Sequence, residues 1–468
     1  MGLQIALSTA RNALLATSTQ IAVASRNVAG AGDAGYARKI ATLVTGNGTA
    51  QVIVTRAGDA ALFTRKLAAT SDEAASAARL DGLKNLSQTV GDTGDATSPA
   101  ARLGALNAAL QAAANQPASS DLARTAVEAA RALAESLNDA AAAVKAVRAD
   151  ADAAIKQSVS TVNDLLAQFD AVNFAVVTGT ANGRDITDSL DDRDRILTKL
   201  AAEIGITTLT RPDGGMAIYT DGGAALYERG ARTVAFDPNA APPGNAVTVD
   251  GVAVTGATTA MPLHSGRIAG LTALRDGPAV EYGRQLDAIA SALVAAFAET
   301  DPTTTPASTV PGLFTGASAA GVRVAARVDP QQGGAVSRLR DGGIYSDDTV
   351  VNTTGAAGYA ARLTILTGNL AAARTIGTGT DISGAATLAG FAAASAGWLS
   401  QQRKDVAADA EYQATLLSRA TDALSNVAGV NGDDETALTL QLERSYTASA
   451  KILTVVDDLL KTLMDAVR

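Results

Sequence analysis

The sequence predicts an α+β protein, mainly α, built as an elongated multidomain rod with a terminal coiled coil made from both chain ends, a long-helix bundle domain and a small inserted β-rich domain. Three observations carry this reading. At both extremes of the chain, apolar residues recur at alternating steps of four and three, the repeat of a coiled-coil seam. No Gly or Pro interrupts residues 119–178. Residues 205–262 turn instead to Gly, Pro, Asp and β-branched side chains, the composition of short strands and tight turns.

The first seam runs through Leu3, Leu7, Ala10, Leu14, Thr17, Ile21, Ala24 and Val28, and its helix stops in the glycine run from Gly30 to Gly35. Residues 40–56, with Ile40, Leu43, Val44, Val52, Ile53 and Val54 around Gly46 and Gly48, read as a hairpin or extended arm. A second helix is expected over 59–90, ahead of a Gly/Asp/Thr/Ser loop ending at Pro99. Ser119 or Ser120 then caps one very long helix with a nearly continuous stripe from Leu122 to Phe169. At 1.5 Å per residue it extends for roughly 80 Å. Helix returns over about 281–299, and 301–385 is loop-rich with a strand candidate at Val322 to Val328. A helix holding Trp398 and Leu416 leads to Gly429. The closing seam is Leu438, Leu442, Ser445, Ser449, Ile452, Val456, Leu459, Leu463 and Ala466, widened by Tyr446, Leu453, Leu460 and Val467. The expected units are 1–34 with 435–468 (terminal coiled coil), 35–190 with 386–434 (long-helix bundle), and 191–385 (inserted outer region).

Neither terminal helix can bury its stripe alone, so packing against each other and against copies in other subunits is the economical solution. Composition agrees with a helical rod: 47% of residues are hydrophobic but only 3% aromatic. That balance suits close helix packing better than a bulky interior. A net charge of -9 opposes binding to nucleic acid or to an anionic membrane. With no cysteine, a disulfide framework, a zinc-thiolate site and a thiol nucleophile are excluded. No stretch is apolar for long enough for membrane insertion, and the N-terminus has no secretory signal pattern, so export without a cleaved signal peptide is the expectation.

Four stretches resemble one family. Asn27-Val28-Ala29 followed by Gly35-Tyr36-Ala37-Arg38 is similar to the Asn-Ile-Ala turn and Thr-Pro-Gly-Tyr-x-Arg signature of the flagellar rod, hook and hook-associated axial proteins. Gly30, Gly32, Asp33 and Ala34 depart from it. Asn115-Gln116-Pro117-Ala118 with Arg124 resembles the lead-in to the long helix of the hook–filament junction members. Ser189 to Asp194, continued by Gly266 to Leu271 and Arg275-Asp276, resembles their middle region. Val427-Ala428-Gly429-Val430-Asn431-Gly432-Asp433-Asp434-Glu435 is close to the turn before their closing helix.

The resemblance implies a structural, non-enzymatic subunit of the bacterial flagellum that joins hook to filament, lies outside the cell and needs no cofactor. Its implied partners are copies of itself, the hook protein, the second junction protein, the flagellar type III export apparatus and an export chaperone. A second junction protein, a hook protein, or a secreted enzyme on an axial scaffold are the alternatives. The residues expected to carry assembly are the two seams together with Asn27, Gly35, Tyr36, Arg38, Val430 and Asn431. Tyr36 can anchor an arm on a neighbouring helix, and Arg38 can pair with a carboxylate.

Other chemistry is weighed against ordinary structure. Asp191, Asp192 and Asp194 alternate with Arg193 and Arg195, which reads as a solvated, salt-bridged helix face. His264 has no partner for metal or base work, and the glycines at 222–223 and 377–379 lack the Lys-Ser/Thr of a phosphate loop. No catalytic, cofactor-binding or metal residue is expected.

Overall fold

The computed structural model describes residues 2–46, 49–90, 95–239, 241–242 and 244–466. Helix α1 (Gly2–Gly30) leads through the glycine turn into a hairpin of β1 (Lys39–Gly46) and β2 (Thr49–Arg56), antiparallel with Lys39 opposite Arg56. Asp59 caps α2 (Ala60–Val90), its carboxylate accepting from the N–H groups of Ala61 and Leu62. A short helix that the sequence reading left unassigned, α3 (Pro99–Asn115), follows with Ser98 as its cap. The long helix α4 spans Ser120–Ala181, and Ser119 accepts from the N–H of Leu122 as expected of its cap. At 1.5 Å per residue α4 is about 90 Å long.

Helix α5 (Thr187–Glu203) carries the Asp/Arg cluster and leads into the β-rich stretch. There, β3 (Ile206–Thr210), β4 (Met216–Thr220) and β5 (Ala225–Tyr227) form one three-stranded antiparallel sheet. β6 (Val234–Ala235), β7 (Thr248–Val249) and β8 (Val252–Ala253) form a second. Helices α6 (Arg267–Asp276) and α7 (Pro278–Ala296) follow. Pro278 at its first turn starts α7 three residues before the expected Glu281. Glu299, expected at the helix end, lies in a strand instead.

The segment 299–386 holds short two-stranded ribbons: β9 (Glu299–Asp301) with β10 (Ser308–Val310), β11 (Phe314–Thr315) with β12 (Arg323–Val324), and β13 (Arg374–Ile376) with β14 (Gly384–Ala386). The strand expected over 322–328 shrinks to β12, because the chain turns at once: the Val328 N–H donates to the Ala325 carbonyl. Helices α8 (Arg338–Asp341) and α9 (Ala361–Ala371) lie in the same segment. Its packing centre is the buried carboxylate of Glu299, which pairs with Arg362 at 2.8 Å and accepts from the N–H groups of Ile344 and Tyr345. The chain closes with α10 (Leu388–Ala428) and α11 (Gly432–Ala466).

Two apolar cores result. One joins α3, the first half of α4, α7, α9 and α10 around Leu106, Leu133, Leu137, Leu293 and Phe391, with Trp398 packed against it. The other joins the second half of α4 to α5, α6 and both three-stranded sheets around Phe169, Leu197, Ile218 and Leu226. Buried Arg275 ties this β-rich part to α4: it pairs with Asp152 at 2.7 Å and donates to the Asn245 carbonyl at 2.9 Å. Among the described residues, none from 2–58 or 430–466 belongs to either core. Nor is any described helix long and apolar enough to cross a membrane.

Candidate assembly site

The two ends of the chain pack together as α1 against α11. On α1 the inward side chains are Ala10, Thr17 and Ala24, all buried, with Leu7, Leu14 and Ile21 half-buried between them. Val28, the last position of the expected seam, is 43% exposed. The helix is turned so that Asn27 is buried in its place. Ala16 and Val23, outside the expected row, are buried too, on a helix that also carries the hairpin. The side chains of Leu3 and Leu463 lie outside the described residues.

On α11 the inward row is Leu442, Ser449, Leu453, Val456 and Leu460. These are the steps of four and three, but shifted toward the residues that widen the predicted stripe. Of the rest of that stripe Leu438, Tyr446, Ile452 and Leu459 face outward, and Val455 beside it does too; Ile452, Val455 and Leu459 are more than half exposed. A single helix covers one stripe about a hundred degrees wide. α11 carries more apolar surface than α1 can cover.

Where the pair meets the rest of the chain, the signature residues form one polar knot. The amide of buried Asn27 donates to the Lys39 carbonyl at 2.9 Å and to Glu435 at 3.0 Å, and its oxygen accepts from the Lys39 N–H at 2.8 Å and the Tyr36 hydroxyl at 2.9 Å. Every bonding group of the amide is used, as its burial demands. Arg38 pairs with Glu435 at 2.6 Å and donates its N–H to the Ala428 carbonyl at 2.8 Å. The carboxylate partner expected for Arg38 is therefore on the opposite end of the chain.

The Tyr36 ring lies on α1 at Gly30, where a Cβ would stand 2.6 Å from the ring. Gly30, a departure from the family signature, is what lets the ring sit so close. Burial pushes the Tyr36 hydroxyl up to about 12, with the Asp191, Asp188 and Glu435 charges adding to the rise and Arg26 opposing it. Gly35 packs beside Arg195: a Cβ there would stand 2.9 Å from its Nε, so the part-exposed Arg195 side chain would have to shift to admit one. Asn431 caps α11, accepting from the Asp433 N–H at 3.1 Å, and Val430 beside it is half-buried.

The reading of the 191–194 cluster as a solvated face is corrected here. Asp192 is exposed, but Asp191 is buried and its carboxylate takes the ammonium of buried Lys39 and the Arg56 guanidinium, the latter at 3.1 Å. Arg56 also pairs with Asp194 at 2.6 Å. Burial raises the Asp194 pKa against the pull of Arg56. Asp185 goes the other way: burial would raise it, but the Thr187 N–H and hydroxyl and the Arg26 guanidinium outweigh that and lower it. The hairpin folds Lys39 and Arg56 over the α5 face, and a linear sequence gives no sign of that.

Of the residues named from sequence, the knot brings together Asn27, Tyr36 and Arg38, while Gly35 lies beside Arg195 and Asn431 caps α11. Sequence reading gave no role to Lys39 or Arg56, took Gly30 only as a turn, Asp191 only as solvated and Glu435 only as part of the closing turn. A visible signal was the three-residue spacing of Asp185, Asp188, Asp191 and Asp194, which puts them on one side of the chain as it enters and runs along α5. His264 is exposed on a loop, 3.8 Å from Asp221.

Comparisons with known proteins bear on this architecture. Residues 83–303 match the family model of the flagellar hook-associated protein FlgK helical domain. Residues 424–466, which include α11, match that of the flagellar basal body rod FlgEFG protein C-terminal region. No curated protein matches the chain. Among solved structures, the flagellar hook junction protein FlgK from Burkholderia pseudomallei is similar at 20% identity and a TM-score of 0.44, over 54% of this chain and 46% of that one. The chain thus spans about half the length of the solved relative it matches. The two family models together take in more than half of the chain: over 83–303 it is similar to flagellar hook-associated proteins and over 424–466 to flagellar rod proteins.

Proposed function

We propose that this protein is a structural subunit of the bacterial flagellum that joins hook to filament, and that it assembles by packing rather than catalysis. One observation carries the proposal. After α1 has covered one edge of the α11 stripe, Leu438, Ile452, Val455 and Leu459 remain as an exposed apolar row along the same helix. Such a row on a chain end is suited to receive copies of the same helix pair from neighbouring subunits. Its partners in this reading are further copies of itself, the hook protein on one side and the second junction protein on the other. Delivery is through the type III export apparatus with an export chaperone, and the working place is outside the cell at the hook–filament junction.

The test is the paired substitution Ile452→Asp and Leu459→Asp in a strain lacking the native copy. A carboxylate in a buried seam costs several kcal/mol, while these two positions are more than half exposed in the single chain. The exported variant should be folded and the cells should carry bare hooks. Filaments in normal number on such cells would overturn the assignment of this row.

A further inference from the structure

The contacts between the terminal unit (residues 2–58 and 430–466) and the rest of the chain have an unusual regularity. Four carboxylates three residues apart, Asp185, Asp188, Asp191 and Asp194, present three gaps, and each gap holds one base from the terminal unit. Arg26 bridges Asp185 at 3.2 Å and Asp188 at 3.5 Å. Lys39 bridges Asp188 at 3.3 Å and Asp191. Arg56 bridges Asp191 at 3.1 Å and Asp194 at 2.6 Å. Arg195 extends the row by pairing with Asp33 at 3.2 Å. The bases come from α1 and from facing ends of the two hairpin strands, so three separate elements converge on one line of acids.

Among the described residues, none of the terminal unit belongs to either apolar core. Away from the two chain connections, this ladder supplies hydrogen bonds and ion pairs that cross from the terminal unit to α5 and its lead-in. An apolar interface would hold two parts together over a range of small slides. A ladder of charges favours one seating, since any shift leaves a base or an acid without its partner, and it adds little to stability for its size.

We propose that the ladder is a latch. It sets the angle between the terminal helix pair and the body, and weakening it frees the pair to swing while both parts stay folded. The outer rungs respond to salt, because the Arg26, Asp185 and Asp188 side chains are 40%, 38% and 70% exposed. The central rung is shielded, with Lys39 and Asp191 at 0% and 5%. For a subunit of the proposed kind, one fold could then meet neighbours of different geometry by adjusting a single joint.

The chain has no cysteine, so Ser18→Cys on α1 and Gln157→Cys on α4, both exposed, place two spin labels without background. Pulsed dipolar spectroscopy on the full chain reads the distance between them. The unaltered ladder should give one narrow distribution at low salt. Asp188→Asn with Asp194→Asn should widen it about two-fold, and about 1 M salt should widen it part of the way. Lys39→Met with Asp191→Asn removes both central charges together and should widen it at least as much. Helix content and the main melting transition should not move. An unchanged width in both folded variants would overturn the latch. So would failure of both variants to fold, or a melting loss that tracks the widening, since the ladder would then belong to the stability of the body.

Discussion

Asn27 and Glu435, 408 positions apart in the chain, meet amide nitrogen to carboxylate oxygen at 3.0 Å, and both are 1% exposed. The same carboxylate holds Arg38 at 2.6 Å. Glu435→Ala would strand a buried amide and a guanidinium at once, a loss of about 2–4 kcal/mol to the terminal unit. Glu435→Gln keeps an acceptor for only one of the two donors and turns its amide NH2 toward the other, so it should cost less than the Ala variant but still about 1–3 kcal/mol. Amide hydrogen exchange should show protection falling in α1 and at the start of α11, in that order of severity, while α4 and α7 keep theirs. Equal protection in the Ala variant would mean that the knot does not hold the two ends together.

Gly30→Ala drives a methyl into the Tyr36 ring, from which a Cβ would be separated by only 2.6 Å. The expected loss is about 1–3 kcal/mol, as for other overpacked sites. Tyr36→Ala alone also destabilises, by removing the ring and the hydroxyl donated to Asn27. The double variant should lose clearly less than the two singles added together, because the clash needs the ring. Thermal or denaturant melts of the four proteins check this, and simple additivity would show that the ring does not depend on the glycine.

The two edges of the α11 stripe should respond differently. Leu453 and Leu460 face α1, so Leu453→Asp with Leu460→Asp should separate the helix pair even in the monomer and lower helix content. Ile452→Asp with Leu459→Asp should leave the monomer's circular dichroism unchanged and act only on assembly. A loss of monomer helix in both pairs would place α1 over the whole stripe.

Asp329 gives the acid response a defined sign. Burial alone would raise its pKa, but the Arg131 guanidinium at 2.5 Å and hydrogen bonds from the Gln331 N–H and the Gln332 side chain outweigh it and hold the carboxyl below its ordinary value. With the folded pKa below the unfolded one, the contribution is complete above about pH 4 and is lost as pH falls through the folded value. Asp329→Asn should lower the melting temperature at pH 7 and shrink the further drop between pH 4 and pH 2.5. An equally steep acid limb in the variant would assign the acid sensitivity to other carboxylates.

Much of this architecture could be read from local pattern, because the elements that carry it are long and periodic. The steps from Leu7 to Ala24 and from Leu438 to Leu460 located both terminal helices, and the run without Gly or Pro located α4. Short or weakly amphipathic helices were less legible. The alanine-rich α3 has apolar residues on every side, and α9 lies in a segment dominated by turns. The side of α11 that meets α1 was not legible either, since both edges of a wide stripe obey the same period. Least legible was the joint. Lys39 and Arg56 look like ordinary strand ends until the hairpin folds over α5, and a buried acid has the same spacing in sequence as a solvated one.

Helix α4 runs through both apolar cores without a break, with Ala126 to Val147 in the first and Ala151 to Phe169 in the second. For the proposed flagellar subunit, that continuity matters mechanically. Torque entering one core passes to the other along a single hydrogen-bonded beam, with no linker between them to wind up. Twist and bending must then be taken up at the ends of the beam, and the end at Ala181 leads within a few residues to Asp185 and the ion-paired row. In the proposed subunit, elastic compliance would thereby be concentrated beside the terminal helices, with a stiff midsection.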